Sequence, residues 1–533
     1  MLLLMKWKIL PKKSDDLVEQ LLINRDIKTD KEKHQFFNPK LAIFENDLKI
    51  SEIEKSKKRI LQTIDKNELI IVYGDYDVDG ICGCAILYKA LTFLGAKVLP
   101  YIPHREREGY GLSKIGLDFA KDSGASLVIT VDNGIVALGQ AKYAKSLGLD
   151  LIITDHHIPL DKLPESFAIV HSTKMCGAAV AWCLIRDLVK KELVQELLQF
   201  VAIATICDLL PLLGLGRAFV YEGFKLLNKT TNLGILALVN ESGINLGNIG
   251  SYEVGYIIGP RLNAMGRLEH AIDSLRLLCT KDPNKAKRLA KLLSETNTQR
   301  QKQTIDAIEQ ARMQIDVQKK IYVLVNDKWS AGIIGLVAGR ITEEYYRPTI
   351  AISLGQTVSK GSARSIDGIN IVEVIRKHSD ILVDVGGHPG AAGFSIETRH
   401  IEIFKKRMEE SIQSLPDEVE QVLKIDAEVE TKRLNKGLVQ NIKKFEPFGF
   451  GNPRPVFATY NLGVSDIRTV GEGKHLKFNV NGFDAIAFGM GELEKTLPNG
   501  QLIDLAYIPE IDSYNGSDKI QLKVKDIKVS TSF

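Results

Sequence analysis

The chain has 533 residues, 44% of them hydrophobic and 26% charged, which is enough for roughly three or four domains and excludes a largely disordered protein. A net charge of +4 permits a nucleic-acid partner without demanding one. The opening MLLLMKWKIL has too short an apolar run for a signal peptide, so we expect a cytoplasmic protein with no membrane association. The six cysteines form no CxxC pair and are expected to be reduced core thiols.

The first regular pattern along the chain predicts a parallel β-sheet. Between about Leu69 and Leu210, the apolar segments LIIVYG, KVLPYI, ASLVITV and LDLIIT alternate with helical segments. Ligands of such sheets collect at the carboxyl ends of the strands. The loops that follow these strands read GDYDVDG, VDNG and TDHH, and all three are rich in potential metal ligands.

Three further regions follow in chain order. NKAKRLAKLLSETNTQRQKQTIDAIEQARMQI predicts a long connecting helix, and KIYVLVND begins a second α/β unit. After a polar hinge near Pro416, short strands separated by turn signals predict a small barrel or sandwich.

Acidic side chains at alternate positions mark the candidate site. Asp75, Asp77 and Asp79 follow the first strand, and carboxylates this close raise one another's pKa unless a cation lies between them. A solvated acidic turn explains this stretch alone equally well. The other loops and helix ends of the region add Asp132, Asp155, His156, His157 and Asp208. Aspartate oxygens with imidazoles suit Mn²⁺ or Mg²⁺, and two such ions support phosphoryl displacement.

These motifs resemble those of a known superfamily. GDYDVDG, VDNG, TDHH and ICDLLP, in that order, resemble the four motifs of the DHH phosphoesterases. YIPHREREGYGL, IGPRLNAMGR, GSARS, GGHPGAAGFSI and EPFGFGNPRPVF are similar to segments of the RecJ family of single-strand-specific exonucleases. The resemblance implies an N-terminal segment (1–45), a DHH phosphoesterase domain (46–215), a helical connector (216–318), an α/β DHH-associated domain (319–415) and an oligonucleotide-binding β-barrel (420–533).

The resemblance also assigns residues to the catalytic site. It implies that two Mn²⁺ or Mg²⁺ ions are held by Asp75, Asp77, Asp132, His156 and Asp208, with Asp132 bridging them. Asp79 and His157 complete the catalytic set, although a cap on the following helix explains Asp79 equally well. Asp155 is expected to orient the imidazole of His156.

Phosphate and base contacts are predicted in other motifs. The predicted substrate-binding residues are Arg107, Tyr110, Arg261, Asn263, Arg267, Ser362, Arg364, Gly387 and His388. Arg105 lies in the same HRERE segment as Arg107, and arginines in loops are most often solvated, but near a phosphate their planar forks bind it bidentately. Ser330 stands where the family usually has histidine, which puts a phosphate contact from this position in doubt.

The terminal barrel is expected to bind the DNA strand. Its candidate stacking residues are Phe445, Phe448, Phe450, Phe457 and Phe478, with Lys443, Lys444, Arg454, Lys474 and Lys477 nearby for the backbone. For each phenylalanine individually, a place in the barrel core is the better interpretation.

The resemblance predicts a single-stranded-DNA-specific 5′-to-3′ exonuclease that releases 5′-mononucleotides by two-metal hydrolysis in DNA repair and recombination. A helicase or single-strand-binding protein is a possible partner, and a monomer is expected. The alternative is a DHH phosphodiesterase acting on short oligonucleotides or cyclic dinucleotides. A catalytically silent nucleic-acid scaffold is disfavoured, because this chain keeps all the motif carboxylates and both histidines.

Overall fold

The structure is a computed structural model that describes residues 5–413, 419–512 and 519–530. It divides into two compact units. One unit is Lys40–Val419, and the other combines Met1–Pro39 with Glu420–Phe533. Most of the N-terminal segment, for which the sequence predicts no role, therefore folds with the C-terminal residues.

Long-range contacts attach the N-terminal segment to the C-terminal unit. Its elements are strand β1 (Lys6–Ile9) and helices α1 (Leu17–Ile23) and α2 (Asp30–Phe37). The Trp7 indole N–H donates to Asp526 at 2.7 Å. The buried Arg25 guanidinium donates to the Asn452 side chain at 2.6 Å and to the Pro453 carbonyl at 2.7 Å. Because these partners lie more than 400 residues away, the sequence offers no local signal for them.

The larger unit begins with the predicted parallel sheet. Its elements are α3 (Ile53–Asp65), β2 (Leu69–Gly74), α4 (Val78–Phe93), β3 (Lys97–Tyr101), α5 (Lys114–Asp122), β4 (Ala125–Val131), α6 (Leu138–Ser146), β5 (Asp150–Asp155), β6 (Ala168–His171), α7 (Gly177–Ile185) and α8 (Lys191–Cys207). The strand order is β3-β2-β4-β5-β6, and every neighbouring pair is parallel. The carboxyl ends of β2, β4 and β5 therefore meet at one edge, as predicted.

A helical connector follows. It contains α9 (Gly214–Leu227), α10 (Leu233–Glu241), a π-helical segment (Glu253–Ile258), α11 (Gly259–Leu268), α12 (Ile272–Cys279) and α13 (Pro283–Arg312). The predicted long helix is α13, which begins where the Asp282 side chain accepts from the N–H groups of Asn284 and Lys285. No helix in the described parts of the chain is long and apolar enough to cross a membrane.

The second α/β part of this unit is a mixed sheet. Its elements are β7 (Tyr322–Asn326), α14 (Ile334–Tyr345), β8 (Thr349–Ser353), β9 (Val358–Arg364), α15 (Ile371–Arg376), β10 (Leu382–His388), β11 (Ala391–Glu397) and α16 (Ile401–Ser411). The order is β10-β11-β9-β8-β7, with β7 and β8 parallel and the other neighbours antiparallel. His388 pairs with Ala391, which pairs with Arg364, so the side chains of His388 and Arg364 share one face of the sheet.

The C-terminal unit confirms the predicted barrel. Its remaining elements are β12 (Val422–Ile425), β13 (Ala427–Glu428), α17 (Lys436–Lys443), β14 (Phe457–Val470), β15 (His475–Val480), β16 (Phe483–Ala487), β17 (Leu502–Ile511) and β18 (Ile520–Val529). Strands β14-β15-β16-β18-β17 form a ring that closes because β17 pairs again with β14. Phe457, Phe478 and Tyr507 are buried in this unit. The predicted fold class is thus confirmed, from the parallel sheet to the barrel.

Candidate metal centre

The carboxyl ends of three adjacent strands bring the predicted acidic residues together. The Asp75 N–H donates to the Val131 carbonyl at 3.2 Å, and the Asp132 N–H donates to Thr154 at 3.0 Å, so the strand ladder sets the position of both aspartates. At Asp132 the chain turns out of β4 with a left-handed φ of 62°. Gly177 approaches so closely that a Cβ there would lie 2.7 Å from the Asp132 Cβ. A larger residue at Gly177 would therefore displace the central carboxylate.

The side chains form overlapping groups that suit metal ions. Within each group, the potential ligand atoms lie within 4.8 Å of one another, and the groups are Asp75/Asp77/Asp132, Asp132/His156/His157 and Asp79/His156/Asp208. The His156 Nε2 atom lies 3.1 Å from Asp132 Oδ1 and 3.6 Å from an oxygen of Asp208. Asp132 belongs to two of the three groups, so its carboxylate would help to hold a metal ion in either of them.

The electrostatics of this centre also fit divalent cations. Burial, with the neighbouring carboxylates, raises the pKa of Asp132 well above its usual value and that of Asp208 to about 9. Burial, with His157, lowers the pKa of His156 to about 4, so its imidazole is in the neutral form that binds metals. Asp75 Oδ1, Asp132 Oδ1 and His156 Nε2 are buried without a hydrogen-bond partner. Metal ions would neutralise the carboxylates and coordinate these atoms.

Asp77 and Asp79 have different structural roles. Asp77 caps α4, since its side chain accepts from the N–H groups of Asp79 and Gly80. The two oxygens of Asp79 instead accept from Gly177 and Ala178 at the start of α7, at 2.6 and 2.7 Å. The alternative interpretation, in which Asp79 caps the helix following it, does not hold, because Asp77 is the cap. Asp79 nevertheless remains 3.6 Å from His156 Nε2, within the metal-suited group.

Asp155 orients a different histidine from the one predicted. Its Oδ1 lies 2.8 Å from the Nδ1 of His157, and from His156 it accepts only the backbone N–H. Burial opposes protonation of His157, but the hydrogen bond and charge of Asp155 outweigh it and raise the pKa of His157. The Tyr110 hydroxyl lies 3.2 Å from the same ring and donates to the Asp132 carbonyl. The prediction that Asp155 holds the His156 imidazole is wrong.

Four arginines converge beside this centre. Burial, followed by the charges of Arg105, Arg300 and Arg364, lowers the pKa of Arg267 to about 10. The Arg105 guanidinium lies 5.0 Å from the centre of the Tyr76 ring, and Arg364 donates to Ser362 at 3.3 Å. Within the described residues, none of the four forms an ion pair with a carboxylate, and the Arg300 Nε is buried without a partner. Mutually repelling guanidinium groups of this kind suit a phosphate.

Other predicted substrate residues lie outside this arginine cluster. Arg107 is exposed, and Arg261 donates to Ser294 and to the Ile257 carbonyl. The Asn263 side chain accepts from the Val78 N–H at 3.1 Å, so it supports the start of α4. Arg300 was missed by sequence reasoning, because a single arginine on a long polar helix resembles an ordinary solvated residue.

The glycine-rich segment forms the tip of the β10–β11 hairpin. Gly387 has φ 138°, and a Cβ there would lie 2.3 Å from the Ala391 carbonyl oxygen, so glycine is required. His388 is exposed at this tip, and its electrostatic interaction with His156 is a minor cause of the lowered pKa of His156. Ser362 pairs with Gly393 on the neighbouring strand.

Aromatic residues of the barrel divide into core and surface. Phe457 and Phe478 are buried on barrel strands, which confirms the interpretation of these two as core residues. Phe445 is also buried, but outside the barrel strands, where its ring packs against Phe36 and Phe37 of α2. Phe450 is exposed, and so is Phe488, which was not predicted and which has the Lys523 ammonium 5.2 Å from its ring centre. The exposed rings are the ones available to bases.

Family models match three parts of the chain. The N-terminal domain of the DHH family matches residues 69–205, the DHHA1 domain residues 318–424, and the RecJ OB domain residues 425–526. Together with the acidic centre at the sheet edge, the first match defines the class as a DHH-type protein.

Individual proteins give a narrower assignment. The single-stranded-DNA-specific exonuclease RecJ of Bacillus subtilis (strain 168) is 34% identical over 96% of this chain and 68% of its own length. The crystal structure of RecJ from Thermus thermophilus in complex with Mn²⁺ superposes with a TM-score of 0.87 at 28% identity, over 99% of this chain and 80% of that one. Its complex with Mg²⁺ gives a TM-score of 0.79 at 27% identity, covering 99% and 79%. The chain belongs to the RecJ family.

Proposed function

We propose that this protein is a metal-dependent exonuclease that hydrolyses single-stranded DNA from its 5′ end and releases 5′-mononucleotides. The observation that carries the proposal is the set of three metal-suited groups, two sharing Asp132 and two sharing His156, in a chain whose relatives are named single-stranded-DNA-specific exonucleases. We assign Mn²⁺ or Mg²⁺ as the cofactor, because solved relatives hold these ions and the ligands here are oxygens and imidazole.

Two ions fit the ligand atoms that this chain offers. Asp75, Asp77 and Asp132 would hold one ion. Asp132, His156 and Asp208 would hold the other, since His156 Nε2 lies 3.1 Å from Asp132 and 3.6 Å from Asp208. When bound, the two ions supply an activated water and neutralise charge on the phosphate oxygens. Asp79, in the first turn of α4, would support the second set, and the backbone amides of Gly177 and Ala178 at the start of α7 restrain its position.

The remaining residues position the substrate phosphate. The arginines Arg105, Arg267, Arg300 and Arg364 carry charge that no carboxylate ion pair neutralises within the described residues, so they would bind phosphate oxygens. His388, on the same sheet face as Arg364, would donate to the phosphate under attack. Asp155 keeps the His157 ring in one orientation beside Tyr110, which favours a single geometry at the phosphate.

The finer biological assignments rest on family membership. We propose the 5′-to-3′ polarity and a role in DNA repair and recombination on that basis. A nuclease specific for single-stranded DNA requires separated strands. We therefore propose that a helicase exposes these strands or that a single-strand-binding protein presents them. We further propose that the enzyme works as a monomer in the cytoplasm.

Digestion of labelled DNA tests the proposed activity. We expect the protein to degrade single-stranded DNA labelled at either end when Mn²⁺ is present and to be inactive after chelation. A 5′ label should appear at once as a mononucleotide, whereas a 3′ label should pass through progressively shorter fragments. Degradation of blunt duplex DNA at the same rate would contradict the specificity for single strands. Cleavage of short oligonucleotides or cyclic dinucleotides alone would contradict the proposal and favour the phosphodiesterase alternative.

Deleting the C-terminal unit should separate strand binding from chemistry. Because β1 pairs with β12, both 1–39 and the residues after about 417 must be removed together. We expect affinity for long single strands to fall by about tenfold or more, which is the effect of losing one or two base-stacking contacts. Cleavage of short oligonucleotides should change little. Affinity is measured by fluorescence anisotropy and cleavage by single-turnover kinetics. An equal loss on both substrates would show that this unit is purely structural.

A further inference from the structure

Two tyrosines on the connector are exposed and stacked on each other. Tyr252 is 61% exposed and Tyr256 is 72% exposed, and their ring centroids lie 5.1 Å apart with 28° between the planes. Single exposed apolar side chains are common, but two large rings stacked on each other restrain each other's orientation and leave an outer ring face open to a further ring. We infer that this tyrosine pair is a platform on which bases of the bound single strand stack beside the metal centre.

The backbone of this segment places the tyrosine pair close to the catalytic residues. The segment Glu253–Ile258 is a π-helix, a rare form that often occurs at functional sites. A Cβ on Gly255 would lie 3.6 Å from the Ile206 side chain, and one on Gly259 would lie 2.5 Å from the Cys207 sulfur. The segment therefore packs directly against the end of α8, one residue before Asp208.

Packing against α8 is the link between the platform and the metal centre. Cys207 ends α8 and directly precedes Asp208, and the backbone at Gly259, three residues after Tyr256, lies against the Cys207 sulfur. Leu209, which follows Asp208, is 67% exposed.

Nucleic-acid bases are the occupant that fits this surface. The arginine cluster and the metal centre account for phosphate groups, but they offer no surface to the bases attached to those phosphates. Aromatic stacking accepts every base, which suits a nuclease that must digest any sequence. Bases within a duplex are already stacked on one another, so the platform would favour single strands. This inference rests on the proposed function.

Abasic DNA provides the probe for the platform. Binding of a short oligo(dT) and of an abasic strand of equal length is measured by fluorescence anisotropy with metal chelated, so that no cleavage occurs. The test variant carries Tyr252→Ala and Tyr256→Ala, and a second variant carries Tyr252→Phe and Tyr256→Phe. The matched control is Phe93→Ala, because Phe93 is 50% exposed but lies at the far end of α4 from Asp77.

We expect the double alanine variant to lose roughly tenfold or more in affinity for oligo(dT) and to bind the abasic strand as the wild type does. The double phenylalanine variant and Phe93→Ala should bind oligo(dT) like the wild type. Unchanged oligo(dT) binding by the double alanine variant, or an equal loss on both strands, would overturn the platform.

Cleavage by the wild type separates this inference from the proposed function. If the wild type degrades single-stranded DNA with Mn²⁺ but the double alanine variant binds oligo(dT) normally, only the platform is wrong. If the wild type degrades no single-stranded DNA, the proposed function fails and the platform for that substrate fails with it.

Discussion

Asp132→Ala is expected to abolish cleavage while the fold is retained. Removing a residue that only hydrogen-bonds to a metal ligand commonly lowers metal affinity or activity by about 10–100-fold. Asp132 would itself be a ligand of both ions, so we expect its removal to lower the cleavage rate by more than about 100-fold. Single-turnover cleavage of labelled single-stranded DNA in Mn²⁺ measures it. Asp122→Ala, at the exposed end of α5, is the matched control and should cleave normally.

A second substitution at this position distinguishes the loss of the carboxylate from a folding defect. Asp132 has φ 62°, a conformation that asparagine tolerates better than alanine, so Asp132→Asn keeps the backbone and removes the charge. Both variants should also lose most of the rise in melting temperature that Mn²⁺ produces in the wild type. A wild-type cleavage rate in either purified variant would mean that the two-metal assignment is wrong.

Chelation should reveal the cost of the buried charges. Burial and the neighbouring carboxylates raise the pKa of Asp132, so the folded protein favours its protonated form. At neutral pH without metal, this carboxyl group ionises freely in the unfolded chain but not in the folded protein, which favours the unfolded state. Asp132→Asn removes the ionisable group and therefore this loss of stability. The chelated Asp132→Asn protein should therefore melt no lower than the chelated wild type.

His388→Ala and His156→Ala are expected to be similarly slow for different reasons. His388 lies on the face of the second sheet that it shares with Arg364, one of the four arginines proposed to bind phosphate. A donor placed at a phosphate under attack typically contributes about a hundredfold or more in rate. His156 offers a buried Nε2 with no hydrogen-bond partner in the described structure, which fits a metal ligand.

Metal quantification distinguishes the two histidines. The protein is loaded with Mn²⁺, desalted and analysed for bound metal, and single-turnover cleavage is measured in parallel. We expect wild-type metal content in His388→Ala and reduced content in His156→Ala. His34→Ala, an exposed histidine in the other unit, should behave like the wild type in both measurements. Metal loss in His388→Ala, or an unchanged rate, would remove its role at the phosphate.

The sequence by itself determined the framework of the metal centre. Buried apolar strands alternating with helices can form a parallel sheet, and the carboxyl ends of its strands share one edge. The loops with Asp75, Asp132 and His156 were therefore expected to meet, and they do. The barrel followed from regularly spaced short strands, whose alternation also places Phe457 and Phe478 in its core.

Only the tertiary structure decided which partners Asp155 and Asp79 bind. Asp155 lies two residues from His157 and one from His156, and the direction of a side chain after a strand end depends on the packing around it. Asp79 finds its partners at Gly177 and Ala178, nearly a hundred residues away.

The same limit applies to longer distances. Arg300 joins the arginine cluster because α13 packs against α11. The sequence of α13 alone presents Arg300 as one polar residue among many. The attachment of β1 and Arg25 to the C-terminal residues likewise depends on partners hundreds of residues away. Periodicity and motif spacing describe the chain over about twenty residues, whereas these contacts exist only once separate elements have packed together.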